Sequence, residues 1–73
     1  MPKDIALQLG DRIRTLRAKH RFTQSELAQR SGISTKYLQN LEGKDPKRAS
    51  IDTLQALADG FGMPMWKFLK FED

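Results

Sequence analysis

The chain has 73 residues, 38% hydrophobic and 30% charged, which leaves room for one small core in a single domain over residues 1–73. Thirteen Lys and Arg against nine Asp and Glu give a net charge of +4, a bias towards polyanions such as nucleic acid or an anionic membrane surface. The absence of cysteine excludes a disulfide framework, a single His20 cannot build a zinc site, and no apolar run approaches the roughly 20 residues of a membrane span.

The first predicted helix follows Asp4, which we take as its N-cap. Residues 1–10 lack the apolar segment and cleavage site of a secretory signal, so we expect a soluble, cytoplasmic protein. Gly10 lies inside this helix at a cost of about 1 kcal/mol relative to Ala, which suggests close approach of a neighbouring element. The apolar stripe has spacings of four, four and three residues and consists of Ile5, Leu9, Ile13 and Leu16.

The second predicted helix has the clearest start signal in the chain. Thr23 and Glu26 have the spacing of a capping box, in which each side chain bonds the backbone N–H of the other residue. Phe22 and Leu27 occupy the hydrophobic-staple positions around it. Gly32 supplies the backbone freedom for a tight turn, so this helix is closely followed by another.

The third predicted helix covers residues 34–42, with Ser34 as N-cap and Ile33 and Leu38 as a second staple. Leu38 and Leu41 point towards the core. At about 100° per residue, the opposite side has no large apolar residue and offers donors, acceptors and one cation. That side carries Thr35, Lys36, Gln39, Asn40 and Gly43.

A basic loop from Gly43 to Arg48 leads to two further helices. Ser50 caps the fourth, which ends at Gly62, and Pro64 opens the fifth. The apolar stripe of the fourth helix consists of Ile51, Leu54, Leu57, Ala58 and Phe61. The fifth is apolar nearly all round, with Met65, Trp66, Phe68, Leu69 and Phe71. The sequence therefore predicts an all-α fold, a compact bundle of about five short helices with a helix-turn-helix over residues 23–43 formed by the second and third.

A family resemblance lies in the run TQSELAQRSGIS followed by KYLQNLE, which resembles the lambda-repressor-like (Cro/C1-type) helix-turn-helix family of bacterial and phage regulators. It extends from about Leu9 to Leu69 and includes Gly32, four residues after Ala28. The resemblance implies five helices around one core, with the third in the major groove of double-stranded DNA. The implied function is a sequence-specific transcriptional regulator, such as a repressor, that is not an enzyme and uses no cofactor or metal.

The resemblance also implies roles for individual residues. By position, Thr35, Lys36 and Asn40 match base readers, and their side chains suit that role because Asn pairs with adenine and Lys donates to guanine. Gln39, on the same side of the helix, is either a further groove contact or a solvated side chain. Gln24 matches a residue that clamps a phosphate. The further phosphate candidates are Ser34, Tyr37, Lys44, Lys47 and Arg48, of which Tyr37 has a packing role as its alternative.

An ion pair between Arg17 and Glu42 is a further implication of the resemblance. It would neutralise a carboxylate that otherwise repels the DNA backbone, and it would fix the first helix against the third. The sequence departs from the family at two places. Arg21 stands where Gly is common, and Gly43 directly follows Glu42 with Pro46 soon after.

The aromatic residues near the carboxy terminus have two interpretations. They either close the bottom of the core, or they leave an apolar patch within residues 62–71 that a second subunit covers. A homodimer would bind an inverted repeat with half-sites about 34–36 Å apart. The interface residues of that second interpretation are Met65, Trp66, Phe68 and Phe71.

Two other functions compete with DNA-dependent regulation. One is an antitoxin-like protein-interaction module that neutralises a partner and binds DNA secondarily. Such a protein partner could be a toxin or a polymerase. The other is a scaffold with the same fold but no DNA binding. The sequence contains no Ser/His/Asp set and no phosphate-cradling loop, and its aspartates suit loop and helix surfaces better than a catalytic dyad, so we expect neither catalysis nor a small-molecule ligand within the chain.

Overall fold

The computed structural model describes residues 5–43 and 49–71, which form helices and their connections without a strand. The predicted N-cap Asp4 and the loop candidates Lys44, Lys47 and Arg48 lie outside the described residues. The helices in chain order are α1 (Ile5–His20), α2 (Gln24–Ser31), α3 (Thr35–Glu42), α4 (Ile51–Phe61) and α5 (Met65–Phe68). The prediction of an all-α bundle with a helix-turn-helix in α2 and α3 is confirmed. In the described part of the chain, none of the helices has the length and apolar character needed to cross a membrane.

The core receives side chains from all five helices, as one small domain requires. Ile5 and Ile51, predicted as members of apolar stripes, are 66% and 74% exposed, since each is the first residue of its helix and lies beyond the packed turns. These two members of the predicted stripes therefore lie outside the core. The buried apolar residues are Leu9, Ile13, Leu16, Leu27, Ala28, Leu38, Leu41, Leu57, Ala58, Phe61 and Phe68.

Phe68 corrects part of the prediction for the carboxy-terminal segment. Its side chain is fully buried, with its ring centroid 6.0 Å from that of Phe61. Pro64 starts the short α5, and the Phe68 N–H donates to the Pro64 carbonyl at 3.1 Å. This turn directs the Phe68 ring inwards, so Phe68 is a core residue of the single subunit and not part of an exposed interface.

Side-chain caps fix where the helices begin. The Thr23 N–H donates to Glu26 Oε1 at 2.8 Å, and the Glu26 N–H donates to Thr23 Oγ1 at 3.0 Å, which confirms the capping box of α2. Ser34 Oγ accepts from the Tyr37 N–H at 3.0 Å, and Ser50 Oγ accepts from the N–H three residues later at 3.1 Å. Caps of this kind contribute about 1 kcal/mol each, a useful amount in so small a domain.

The turn between α2 and α3 is a left-handed helix end. Gly32 has φ 74° and ψ 24°, a conformation that costs glycine nothing and other residues about 1 kcal/mol or more. The Ile33 N–H then donates back to the Ala28 carbonyl at 3.1 Å, which closes the end of α2. Because Ser34 is already the N-cap of α3, the two helices are joined by only three residues.

Close packing of α1 on α3 depends on Gly10. A Cβ atom added there would lie 2.8 Å from the Leu41 carbonyl oxygen, so only glycine permits this approach of the two helices. Arg14 strengthens the same contact, since its guanidinium donates both to the Glu42 carbonyl and to Asp11. The close approach predicted from Gly10 is therefore confirmed, and its partner is the carboxy-terminal end of α3.

Candidate nucleic-acid interface

The two sides of α3 differ sharply in burial. Leu38 and Leu41 are fully buried, and they turn one side of the helix into the core. On the other side Lys36 and Gln39 are exposed, and Thr35 and Asn40 are half-buried. These four residues form what we call the polar face of α3. Thr35, Lys36 and Asn40 were predicted as base readers, and Gln39 as either a groove contact or a solvated side chain. The structure places all four on one surface.

The Arg17–Glu42 ion pair is present in the structure with two parallel contacts. Arg17 Nε lies 2.9 Å from Glu42 Oε2, and Arg17 Nη2 lies 2.9 Å from Glu42 Oε1. The Glu42 side chain is only 4% exposed and that of Arg17 is 22% exposed. Arg17 Nη1 also donates to the Phe22 carbonyl at 3.1 Å. One guanidinium therefore joins α1, the start of the loop before α2, and the last turn of α3.

Gln24 lies on the same carboxylate. Its Nε2 donates to Glu42 Oε1 at 3.2 Å, and its Oε1 accepts from Gln39 Nε2 at 3.4 Å. Gln24 was predicted as a phosphate clamp, and the half-buried amide keeps a second N–H for such a contact. The sequence did not indicate either side-chain contact, because Gln24 and Gln39 belong to different helices whose crossing is set by the core.

The other described phosphate candidates lie at the amino-terminal end of α3. Ser34 Oγ accepts the Tyr37 N–H as N-cap, and its hydroxyl hydrogen is still available to an acceptor. The Tyr37 ring is half-buried against the core, and its hydroxyl lies 3.5 Å from Thr53 Oγ1. Tyr37 therefore packs against the core, and its hydroxyl contacts α4.

Two arginines with structural roles were not recognised in the sequence. Arg12 Nε donates to the Phe68 carbonyl at 2.9 Å and its Nη2 to the Lys67 carbonyl at 2.8 Å, so α1 holds the end of α5. Arg14 binds the end of α3 through the Glu42 carbonyl. The three-residue spacing of Asp11 and Arg14 was a readable sign of a local ion pair. Contacts of arginine with distant carbonyls leave no sign in the sequence.

The exposed apolar surface of the carboxy-terminal segment is smaller than predicted. Trp66 is 71% exposed, and Met65 and Phe71 are half-buried against the core. Of the four predicted interface residues, Phe68 contributes nothing to the surface. Within residues 5–43 and 49–71, no group of three or more His, Cys, Asp or Glu side chains is arranged to hold a metal ion.

The helix-turn-helix geometry agrees with a comparison of the sequence with known families. The model of the family HTH_3, described as Helix-turn-helix, matches residues 13–65. The chain belongs to this helix-turn-helix family. The matched region runs from the middle of α1 to the start of α5, and so contains the whole polar face of α3 and both partners of the ion pair.

A curated relative is the immunity repressor protein of Bacillus phage phi105, to which the chain is 33% identical over 57 residues. The match covers 78% of this chain and 39% of the relative, so the chain spans well under half the length of that protein.

Two solved structures illustrate the similarity in fold. The restriction-modification controller protein C.AhdI from Aeromonas hydrophila has a TM-score of 0.80 at 24% identity, covering 86% of this chain and 94% of its own. The hypothetical transcription factor NHTF from Neisseria has a TM-score of 0.82 at 21% identity, covering 94% of this chain and 80% of its own. At these identities the similarity establishes the fold of the five helices.

Proposed function

We propose that this protein is a sequence-specific transcriptional regulator that inserts α3 into the major groove of double-stranded DNA. The observation that carries the proposal is the polar face of α3, which is held in a helix-turn-helix by the buried Arg17–Glu42 pair. An α-helix fits the major groove, and hydrogen-bonding side chains on its outer side are the groups that read base edges there. The role is one of binding without catalysis.

Thr35, Lys36 and Asn40 are the proposed base readers. The Asn40 amide suits a bidentate pair with adenine, the Lys36 ammonium suits guanine O6 and N7, and Thr35 offers a hydroxyl and a methyl group. Gln24 and Ser34 have free donors for phosphate oxygens at the ends of the same surface. The net charge of +4 adds a sequence-independent attraction that weakens as salt rises.

Selection of bound sequences from a random DNA pool, followed by affinity measurements, tests this role. Asn40→Ala should weaken binding to the selected site by roughly 1–3 kcal/mol and leave binding to random DNA nearly unchanged. Gln55→Ala, an exposed amide on α4, is the matched control and should change neither affinity. Equal losses on selected and random DNA would refute base reading by Asn40.

The proposed active form is a homodimer on an inverted repeat, with Trp66 at the subunit contact. Trp66 is 71% exposed, so a large apolar side chain is left in contact with water. Aromatic residues of this kind are common at the centres of protein interfaces. Half-sites would lie about 34–36 Å apart. Trp66→Ala should weaken dimerisation in light scattering, while the control Ile51→Ala, with 74% exposure on α4, should not. A wild-type mass near 8.4 kDa at tens of micromolar would contradict the dimer.

The cellular setting follows from the proposed ligand. A chromosomal or phage DNA target places the protein in the cytoplasm. A toxin or polymerase that bound through the exposed Trp66 would make the protein an antitoxin-like module with secondary DNA binding. Co-purification of a second protein that is lost in Trp66→Ala, with the homodimer intact, would favour that alternative.

A further inference from the structure

We infer that Gln24 determines the base preference of Gln39, a role that rests on the proposed DNA-binding function and adds to it. Gln24 is a positioning residue, because it would influence base recognition by orienting the side chain of Gln39 and not by contacting a base itself. The chain of contacts runs from Arg17 to Glu42, from Glu42 to Gln24 and from Gln24 to Gln39. It connects the buried ion pair to the exposed polar face of α3.

The negative charge of Glu42 determines which group donates and which group accepts in these hydrogen bonds. An ionised carboxylate only accepts hydrogen bonds, so the part of the Gln24 amide that faces Glu42 Oε1 must be its NH₂ group. The Arg17 guanidinium donates two hydrogen bonds to the same carboxylate, at 2.9 Å each. The Gln24 amide is therefore held in one of its two orientations, with its oxygen turned away from Glu42.

The Gln39 amide is oriented by Gln24 in the same way. The oxygen of Gln24 only accepts, so the Gln39 amide must offer it an N–H, and Nε2 does so at 3.4 Å. The second N–H and the oxygen of Gln39 then remain for a ligand. A neighbouring donor and acceptor of this kind match N7 and the amino group of adenine in the major groove. Gln39 is thus oriented as a reader of an A·T base pair before DNA arrives.

Gln24 would have two separable roles, which are donation to a phosphate and orientation of the Gln39 side chain. Donation to phosphate needs only an N–H and raises affinity for every sequence. Orientation of Gln39 needs the Gln24 oxygen and affects one base pair. Gln24→Lys separates the two, because a lysine can still donate to Glu42 and to phosphate but offers Gln39 no acceptor.

The experiment selects sites from a random pool with the wild-type chain and with Gln39→Ala, and the base pair whose preference differs is assigned to Gln39. The ratio of affinities for the preferred and the other bases at that pair is then measured for Gln24→Lys and for the double variant Gln24→Lys with Gln39→Ala. Gln24→Lys should reduce discrimination there by roughly 2- to 12-fold, the effect of ordering one flexible side chain, while its added cation should raise affinity for random DNA. The double variant should show the same preference as Gln39→Ala alone.

A second variant and a matched control complete the design. Gln24→Met has a similar length but no donor and only a weakly accepting sulfur, so it should lose both discrimination and general affinity. Asn40→Ala should alter a different base pair, with an effect that adds to that of Gln24→Lys. Helix content measured by circular dichroism verifies that each variant is folded.

Three results would overturn the inference, and one of them also overturns the proposed function. If Gln39→Ala changes no base preference, Gln39 is not a reader. If Gln24→Lys keeps full discrimination at the Gln39 pair, the contact between Gln24 and Gln39 has no role in specificity. If the wild-type chain enriches no sequence at all, the proposed DNA-binding regulator itself fails, and the inference fails with it.

Discussion

Removing the charge of Arg17 should destabilise the fold more than any other single change to the polar network. Arg17→Met keeps most of the apolar stem of the side chain and deletes the guanidinium. The Glu42 carboxylate, which is 4% exposed, is then left with the neutral amide of Gln24 as its one side-chain donor among the described residues. Breaking a buried pair from one side costs about 3–5 kcal/mol. Because Arg17 itself is 22% exposed, water can reach the vacated place, and we expect about 3 kcal/mol.

Glu42→Gln is the informative companion to this change. It preserves the shape of the side chain and strands no carboxylate, while Arg17 can still donate to the Phe22 carbonyl and reach solvent. A smaller loss of about 1–2 kcal/mol is expected. The double variant Arg17→Met with Glu42→Gln contains no stranded charge, so it should be more stable than Arg17→Met alone by roughly 1–2 kcal/mol.

Urea and thermal unfolding followed by circular dichroism measure these differences. For a domain of this size, a loss of about 3 kcal/mol lowers Tm by roughly 12–24 °C. Lys19→Met is the matched control, an exposed cation on the same helix whose replacement should stay within about 0.5 kcal/mol of the wild type. A double variant whose loss equals the sum of the two single losses would show that Arg17 and Glu42 do not interact, and the account of the pair would be wrong.

Two further predictions concern the packing of α1. Gly10→Ala should cost about 1–3 kcal/mol in urea unfolding, although Ala favours helices, because its Cβ would lie 2.8 Å from the Leu41 carbonyl oxygen; a stabilised variant would contradict the close approach. Arg12→Ala should cost about 1–2 kcal/mol and speed hydrogen exchange at the Phe68 amide, because the end of α5 loses its two charged donors; unchanged exchange there would show that α5 holds its place without Arg12.

The sequence predicted the helices well because their signals are local. The capping box of Thr23 and Glu26, the cap at Ser34 and the glycine at the α2–α3 turn each act within about four residues. The left-handed conformation of Arg21, with φ 61°, was also foreseeable, because the family commonly has glycine at that place. Local geometry of this kind survives whatever the tertiary packing.

Features that depend on contacts between helices were less predictable. Phe68 and Trp66 stand two residues apart on one short helix with similar apolar character, yet one is fully buried and the other is 71% exposed. The side of α5 that faces the core depends on the position and direction in which the chain leaves α4. The sequence of a helix that is apolar nearly all round does not indicate which side that will be. The contacts of Arg12 with carbonyls at the end of α5 are hidden for the same reason.

The arginines of α1 make this helix the frame that positions the candidate DNA-binding surface. Arg17 holds the Glu42 side chain, Arg14 holds the Glu42 carbonyl, and Arg12 holds the carbonyl of Phe68. The two arginine contacts with Glu42 fix both the rotation and the position of the end of α3 relative to α1. The third fixes α5, which carries Trp66. In the proposed dimer, α1 would connect each copy of α3 to the subunit contact on α5. The rigidity of these arginine contacts would therefore determine the distance between the two copies of α3, and with it the half-site spacing that the protein accepts.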